Sequence, residues 1–417
     1  RVRASPPARS RPPVPRTARL RPRRPVRDRL RSRLGMPRSG RWDGDATVLA
    51  VLVLILVVVG LVMSLSASFV DAAEGGDPFG IFARQAAWAA VGVPAFFVIA
   101  ATHHRVWRPL SWLLLAASLA GLALVLVPGI GLSEGGSARW IALGPFALQP
   151  SELAKLATVL WLADVYTRKR ELGLPVDRDL GHLLVPALPL LGLEATLVML
   201  EPDLGTTLLL GLVVGLVLWS EGIGLRPLAA LGTAGVLFTG AAAILEPYRF
   251  ARLTAWWEPT ADPLGNGYQL LQARYALASG GWFGLGLGSS RGKWNFVPNP
   301  ETDFIFAIIG EELGLVGAVA VLLLFAALLL VGLRVARRAT DRFGRVVAFA
   351  VTGWIVGQAL VNAGAVTGLL PITGVTLPLV SVGGSSLLST LVALGTLVAV
   401  ARSTPPANGR RRPEAVG

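Results

Sequence analysis

The chain has 417 residues, of which 53% are hydrophobic and only 15% are charged, and its mean hydropathy is +0.60. This is more apolar surface than the core of a soluble protein of this length needs, so the composition indicates an integral membrane protein. The formal charge of +14 does not indicate nucleic-acid binding, because the arginines lie in the first 42 residues and in short links between apolar runs. The chain has no cysteine, which excludes disulfides and thiolate metal sites.

The amino-terminal segment, residues 1–45, is rich in arginine and proline and lacks the apolar residues that a folded core needs. We expect it to be a disordered basic arm in the cytoplasm. The apolar run at 46–67 is longer than the apolar region of a signal peptide and long enough to cross a bilayer, so it predicts an uncleaved first helix. At the other end, residues 403–417 are predicted to form a cytoplasmic tail.

Ten apolar runs are long enough to cross a membrane. They cover residues 46–67, 83–102, 109–128, 151–167, 182–200, 204–221, 226–245, 303–334, 345–366 and 384–402. The sequence therefore predicts an all-α fold, a polytopic integral membrane protein of about ten transmembrane helices, with its membrane domain at residues 46–402.

The arginines outside these runs predict the orientation. With the amino terminus inside, most loop arginines fall on the cytoplasmic side, as the positive-inside rule requires, and both termini are cytoplasmic. With this orientation and ten spans, a large extracytoplasmic loop, residues 246–302, lies between predicted helices 7 and 8. Shorter outside segments are predicted at 68–81, 129–150 and 367–383. A loop as long as 246–302 is usually functional, so we expect the chemistry on this side.

Asp303 stands where the large loop enters the eighth predicted helix. Capping of that helix is one interpretation, because the free amides and the dipole of a helix start favour an aspartate. Catalysis is the other, because a carboxylate at the membrane boundary beside a polar loop can act as a general base. The two interpretations do not exclude each other.

The predicted helix after Asp303 carries a stripe of small residues. At 100° per residue, the members that share its face are Ala307, Gly310, Gly314 and Gly317. This face serves either close helix packing or the binding of a lipid chain.

Two adjacent acids, Glu311 and Glu312, lie deeper in the same predicted helix. Each costs about 2.5–3.5 kcal/mol if it is inserted ionised near the helix centre, so both need partners or a polar cavity.

The segment ARWIALGPFALQPSELAKL leads from an outside loop into the fourth predicted helix. Glu152 and Lys155 stand three residues apart on one face of that helix and can neutralise each other. Alternatively, Lys155 and Arg139 face an anionic ligand such as a diphosphate, which fixed cations complement. Trp140 is either an interfacial anchor or a surface on which a sugar stacks.

Two further segments place polar residues between apolar runs. EPDLGT, residues 201–206, contains Asp203 and predicts either a tight outside turn or a dip into the protein interior. PLVSVGGSSLLS, residues 378–389, contains Ser385 and Ser386, and backbone amides in such a segment can bind an anion. Neither signal is specific alone.

The order of these motifs along the chain is more specific than any one of them. In chain order, the motifs are ARWI with QPSELAK, then PDLGT, then YQ, SGG and GLG, then TDFIFAIIGEELG and LLPITG with GGSSLL. This order resembles the SEDS family of cell-wall polymerases, which contains FtsW, RodA and SpoVE. The resemblance extends from about Gly44 to Arg402. The GEELG form, the KWNFVPN segment and the basic arm are more similar to FtsW, the division branch, than to RodA, the elongation branch.

The resemblance implies a role for each matching residue. Asp303 matches the essential acid of the family and is the candidate catalytic residue, a general base. The implied substrate-binding residues are Arg139, Trp140, Glu152, Lys155, Asp203, Arg252, Gln272, Lys293, Ser385 and Ser386. Within the large loop, Arg252 and Lys293 are expected to contact the diphosphate.

The implied reaction is inverting transfer of a growing glycan strand from its undecaprenyl diphosphate to lipid II, without a glycosyl-enzyme intermediate. No cofactor is required with certainty, and although a divalent metal, Mg²⁺ or Mn²⁺, could assist the leaving group, the sequence shows no carboxylate cage for it. The implied partners are lipid II, undecaprenyl diphosphate, a class B penicillin-binding protein and other divisome proteins. The implied location is the septum, in the bacterial inner membrane.

The chain also departs from the family pattern at three positions. Glu301 stands in place of a common His, Glu201 in place of Gln, and Val382 in place of Tyr. Nearby added acids can raise the pKa of Asp303. Three other roles remain open: a lipid II flippase, a non-catalytic division scaffold, and a RodA-like role in elongation. The lack of an evident inverted repeat speaks against a transporter.

Overall fold

A computed structural model describes residues 42, 44–74, 77–134, 137–144, 146–176, 179–244, 246–294 and 296–404. The predicted basic arm therefore lies outside the described residues as far as residue 41, and the predicted tail lies outside them from residue 405 onward.

Helices make up most of this described part of the chain. The twelve α-helices there are α1 (Gly44–Glu74), α2 (Gly80–Ala101), α3 (Trp107–Val125), α4 (Pro150–Glu171), α5 (Leu180–Leu200), α6 (Leu204–Glu221), α7 (Leu225–Ile244), α8 (Pro247–Trp257), α9 (Tyr268–Ser279), α10 (Ile305–Arg338), α11 (Arg342–Thr367) and α12 (Gly384–Ser403). A 3-10 turn, His104–Val106, precedes α3.

The all-α polytopic prediction is confirmed, because each of the ten predicted spans overlaps one of the ten longest of these helices over most of its length. Nine of them, over the described residues, have the length and apolarity of a membrane span. The tenth is α4, which is 22 residues long but carries Glu152, Lys155, Asp164 and a basic last turn. Those charges make α4 too polar to be recognised as a membrane span by composition, yet most of its side chains are buried among its neighbours.

A small sheet that the sequence did not predict lies between α3 and α4. Its antiparallel strands are β1 (Gly131–Glu134), β2 (Ser137–Leu143) and β3 (Phe146–Leu148), in the order β1-β2-β3. The predicted outside segment 129–150 is therefore a β-meander, with Ile141 of β2 opposite both Gly131 and Leu148. Strands this short give almost no periodicity from which to predict them.

The large loop between α7 and α10 is folded, as its composition indicated. It contains the short helices α8 and α9, and Trp256 of α8 donates a hydrogen bond to the carbonyl oxygen of Gly368 at 3.0 Å. This contact fixes the loop to the end of α11. In the centre of the bundle, α11 and α12 are largely buried, whereas α7 is almost entirely exposed at its edge.

At one end of the bundle, ion pairs connect the arginine-rich segments that link the helices. Asp341 accepts from Arg105 at 2.8 Å, and Glu221 pairs with Arg342 at 2.6 Å. Asp45, at the start of α1, accepts from Arg338 at 2.8 Å. We call this the arginine-rich end, and the opposite end, where α10 begins, the Asp303 end.

Helix α10 is broken at Gly314, whose φ of 69° and ψ of −169° are not helical. A side chain at Gly314 would overlap the backbone of Phe283 and Gly284, and one at Gly310 would overlap Leu277. The predicted continuous stripe is therefore wrong beyond this break. Its small residues make room for the loop segment 277–284, which favours the packing interpretation over a groove for a lipid chain.

Candidate active site

Asp303 lies in a turn that three other segments hold in place. Its carbonyl oxygen accepts a hydrogen bond from the Asn362 side chain at 2.8 Å. The preceding carbonyl oxygen, of Thr302, accepts from the Ser381 hydroxyl at 2.6 Å. Helix α10 begins two residues later with Phe304 at its cap position and no side-chain cap, so Asp303 does not cap the helix.

The surroundings of Asp303 make its carboxyl group a weaker acid than an aspartate in water. Loss of contact with water raises the pKa of its carboxyl group to about 6. The charges of Arg252 and Arg139 lower this pKa, and the charge of Asp203 raises it, so these three residues lie close enough to act on Asp303. A carboxyl group with a pKa of about 6 is mostly ionised at pH 7 and still basic enough to accept a proton.

Asp203 and Arg139 meet at the start of α6. The Asp203 carboxylate caps α6 by accepting from the Thr206 amide at 2.9 Å. Arg139, on β2, donates to the carbonyl oxygens of Glu201 and Pro202 at 3.0 and 2.8 Å, and its guanidinium lies 4.0 Å from Asp203. EPDLGT thus forms the start of α6, and the hydrogen bonds from Arg139 attach this turn to the sheet.

Glu201 in this turn is buried. Burial, and then the charge of Asp203, raise the pKa of the Glu201 carboxyl to about 8, although Arg139 lowers it. Glu201 is therefore mostly protonated at neutral pH. An uncharged acid resembles the amide side chain of glutamine in shape and polarity.

A second polar group lies inside the bundle, beside the first turns of α4. Lys155 is fully buried, and its ammonium donates to Glu152 at 2.7 Å and to Gln358 at 3.3 Å. It also stands over the ring of Trp354, 5.2 Å from the centroid. These contacts favour the internal ion pair over a cation that faces a ligand.

Gln358 and Asn362, one turn apart on α11, connect the two groups, and the sequence analysis missed both. The Gln358 amide donates to the Thr376 carbonyl oxygen at 3.0 Å, and Asn362 donates to that of Val375 at 2.7 Å. The two α11 residues that contact the Glu152–Lys155 pair and Asp303 are therefore about 6 Å apart along the helix axis. The sequence could have revealed Gln358 and Asn362 as two amide side chains four residues apart in a predicted membrane span, because buried polar side chains there need partners.

Ser385 and Ser386 lie in the first turn of α12 and are buried. The Ser385 hydroxyl accepts from the Gln149 amide at 3.3 Å, and Ser389, one turn on, donates to the Glu152 carbonyl oxygen at 2.9 Å. The structure thus places this turn with the Glu152–Lys155 pair.

Trp140 and Gln272 are both partly buried. Trp140 follows Arg139 on β2, where the pairing with β1 shifts register so that Arg139 has no opposite residue on β1. Gln272 lies on α9, which packs against α10 and α11.

The structure places Lys293 elsewhere than the sequence analysis expected. Its ammonium donates to the Gly288 carbonyl oxygen at 2.6 Å and lies 3.5 Å from Glu312. Glu312 also accepts from Ser66 of α1 at 2.7 Å, and Glu311 accepts from the Arg291 amide at 2.9 Å. Lys293 therefore joins the polar group that satisfies Glu311 and Glu312, and a diphosphate contact through Lys293 is not supported.

A divalent metal ion beside Asp303 would need several oxygen ligands from the protein. Across the described ranges of the chain, no three His, Asp or Glu side chains group closely enough to hold a metal ion. The described residues therefore offer no cage beside Asp303, and a requirement for Mg²⁺ or Mn²⁺ stays a prediction.

Fold and site together define a polytopic membrane protein with a carboxylate–arginine site at one end of its bundle. The sequence profile of a family described as cell cycle protein, FTSW_RODA_SPOVE, matches residues 46–405. The chain belongs to this FtsW, RodA and SpoVE family.

Individual relatives cover most of the chain. Stage V sporulation protein E of Bacillus subtilis is 41% identical over 357 residues, 85% of this chain and 96% of that protein. The probable peptidoglycan glycosyltransferase FtsW of Mycobacterium tuberculosis is 40% identical over 377 residues, 89% of this chain and 71% of that protein.

Solved structures show the same fold. A chain of a peptidoglycan synthase complex that coordinates polymerization and crosslinking has a TM-score of 0.70 at 32% identity, covering 85% of this chain and 97% of its own length. The rod shape determining protein RodA of Thermus thermophilus has a TM-score of 0.62 at 29% identity, with coverage of 85% and 96%.

Proposed function

We propose that this chain is a peptidoglycan glycosyltransferase that polymerises lipid II into glycan strands, with Asp303 as its general base. The observation that carries the proposal is the position of Asp303, a desolvated acid of raised pKa at the end of the bundle, within reach of the charges of Arg139 and Arg252. Relatives that match 89% and 84% of this chain are named as probable peptidoglycan glycosyltransferases, which supports the same activity for this chain.

In the proposed reaction, the 4-hydroxyl of N-acetylglucosamine in lipid II attacks the anomeric carbon at the lipid-linked end of the growing strand. The new C–O bond forms as the bond to the diphosphate breaks, and undecaprenyl diphosphate leaves with the electron pair. The hydroxyl proton passes to Asp303. One in-line displacement of an α-linked diphosphate gives a β-linkage, so the reaction inverts.

The positive charges of the site match the leaving group. Arg252 and Arg139 lie close enough to Asp303 to lower its pKa, so they can also stabilise a diphosphate whose charge grows as it leaves. Arg139 is oriented by the carbonyl oxygens at 201 and 202. The buried Glu152–Lys155 pair then acts through Gln358, which supports the segment beside Asp303.

The orientation and partners belong to the same proposal. The arginine-rich end is cytoplasmic, with both termini, and the Asp303 end faces outward, because positively charged links stay inside. We place the protein in the bacterial inner membrane at the division septum, in line with the FtsW-like relatives. A class B penicillin-binding protein, with other divisome proteins, is the expected partner, since a similar chain occurs in a peptidoglycan synthase complex.

The test is polymerisation of labelled lipid II by the chain purified with its penicillin-binding partner, followed as glycan ladders on a gel. Wild type is compared with Asp303→Asn and with a matched control, Glu258→Gln, which removes an exposed carboxylate from the same loop. We expect Asp303→Asn to lose about 100-fold or more in rate, the typical contribution of a general base, and Glu258→Gln to remain active.

Equal polymerisation by Asp303→Asn and wild type would contradict the assignment of the base. No polymer from wild type, together with intact translocation of lipid II across vesicles, would contradict the polymerase and favour the flippase.

A further inference from the structure

The segment between α9 and α10 that runs from Gly281 to Gly288, with sequence GWFGLGLG, is attached to the break in α10. The amides of Leu285 and Gly286 donate to the carbonyl oxygens of Glu311 and Glu312, each at 3.0 Å. In return, the amides at 315 and 316 donate to the carbonyl oxygens at 281 and 282, at 2.9 and 3.1 Å. We call residues 281–288 the WF segment. It satisfies backbone groups that the break leaves without helical partners.

The break marks the level at which the membrane begins on α10. From Leu313 to Leu333 the helix carries no charged residue, a length of about 30 Å that equals the hydrocarbon core of a bilayer. Arg334 and Arg338 follow at the arginine-rich end, and Glu312 precedes the run at the Asp303 end. Because the WF segment bonds to residues 311–316, it lies at the hydrocarbon boundary of that end.

The side chains of the WF segment point away from the protein. Trp282 is 69% exposed, Phe283 83% and Leu287 58%. On α10 beyond the break, the apolar side chains of Leu315 and Leu323 are also exposed, at 48% and 62%. An aromatic and leucine patch of this kind is rare on a surface in contact with water.

We propose that the WF segment inserts its side chains into the bilayer at the Asp303 end, and that the lipid interface is the binding partner of this surface. Tryptophan prefers the membrane–water interface, and irregular backbone is tolerated at this level when protein groups satisfy its hydrogen bonds. The segment thereby fixes the height of the large loop relative to the membrane. This inference rests on the position of the WF segment and not on the proposed enzymatic activity.

The absence of cysteine from the chain allows a direct test. Single variants Phe283→Cys and Leu287→Cys carry a nitroxide label in proteoliposomes, and electron paramagnetic resonance gives the collision rates of the label with oxygen and with a water-soluble nickel chelate. Leu323→Cys is the lipid reference on α10, and Glu258→Cys is the water reference in the same loop, because Glu258 is exposed and charged.

We expect the oxygen-to-nickel ratio at 283 and 287 to be severalfold higher than at 258 and to approach that at 323. Ratios at 283 and 287 equal to that at 258 would overturn the proposal. It would also be overturned if the labels lost nickel contact only after addition of a penicillin-binding partner, because the surface would then be a protein interface. Each variant must first elute as a monodisperse species, and a second residue of the segment, Leu285→Cys, replaces any that does not.

Discussion

The raised pKa of Asp303 predicts how polymerisation depends on pH. If Asp303 is the base, the rate follows its ionised fraction, and with a pKa of about 6 this fraction falls from about nine-tenths at pH 7 to about one-tenth at pH 5. We therefore expect about a tenfold loss of initial rate between these values. An ordinary aspartate, with a pKa near 4, would show almost no loss over the same range.

Two charge variants make this prediction specific to Asp303. Arg252 lowers the pKa of Asp303, so Arg252→Gln should move the midpoint of the profile to higher pH. Asp203 raises that pKa, so Asp203→Asn should move the midpoint to lower pH while an asparagine still caps α6. The measurement is the initial rate of lipid II polymerisation from pH 4.5 to 8 at constant ionic strength.

Elution volume and thermal unfolding at each pH separate this effect from loss of fold. A flat profile down to pH 4.5, or midpoints that move in the same direction in both variants, would refute the reasoning about the base.

Two further predictions concern the buried acids. Because Glu201 is protonated at pH 7, Glu201→Gln should polymerise at close to the wild-type rate, and a large loss of rate would show that its ionised form is needed. Lys155→Met leaves the Glu152 carboxylate buried without its cation and should destabilise the chain by about 3–5 kcal/mol, whereas the double variant Glu152→Gln with Lys155→Met should recover most of the loss. Thermal unfolding in detergent measures the stability of both variants. If the effects of the two substitutions simply added in the double variant, the result would contradict the pairing of Glu152 with Lys155.

The sequence predicted the helices well because membrane spans are long and apolar. The predicted span at 204–221 coincides with α6, and those at 345–366 and 384–402 differ from α11 and α12 by a few residues. Membrane insertion depends on average hydropathy over about 20 residues, which the sequence contains in full. Even α4 was predicted, although its charges make it the least apolar of the ten.

The candidate site was predicted less completely, because its members come together through contacts that no local pattern encodes. Asp303, Arg139 and Asp203 were identified individually, and the structure brings their charges together. The family resemblance implied that Lys293 contacts the diphosphate, whereas the structure shows its ammonium 3.5 Å from Glu312. This contact forms because the loop folds back on α10 before it reaches Asp303.

The break at Gly314 also bears on the predicted depth of Glu312 in the membrane. Asn362, which holds Asp303, lies about 30 Å along α11 from the arginine-rich end, and Ser66, which holds Glu312, lies about 32 Å along α1 from Asp45. The contacts that hold Asp303 and Glu312 therefore lie at similar distances from the arginine-rich end along these two helices. Projection of a straight helix instead placed Glu312 about 13 Å deeper in the membrane. A glycine in a helical pattern is usually a packing residue, and only the tertiary contacts of the WF segment identify Gly314 as the point where the helix turns.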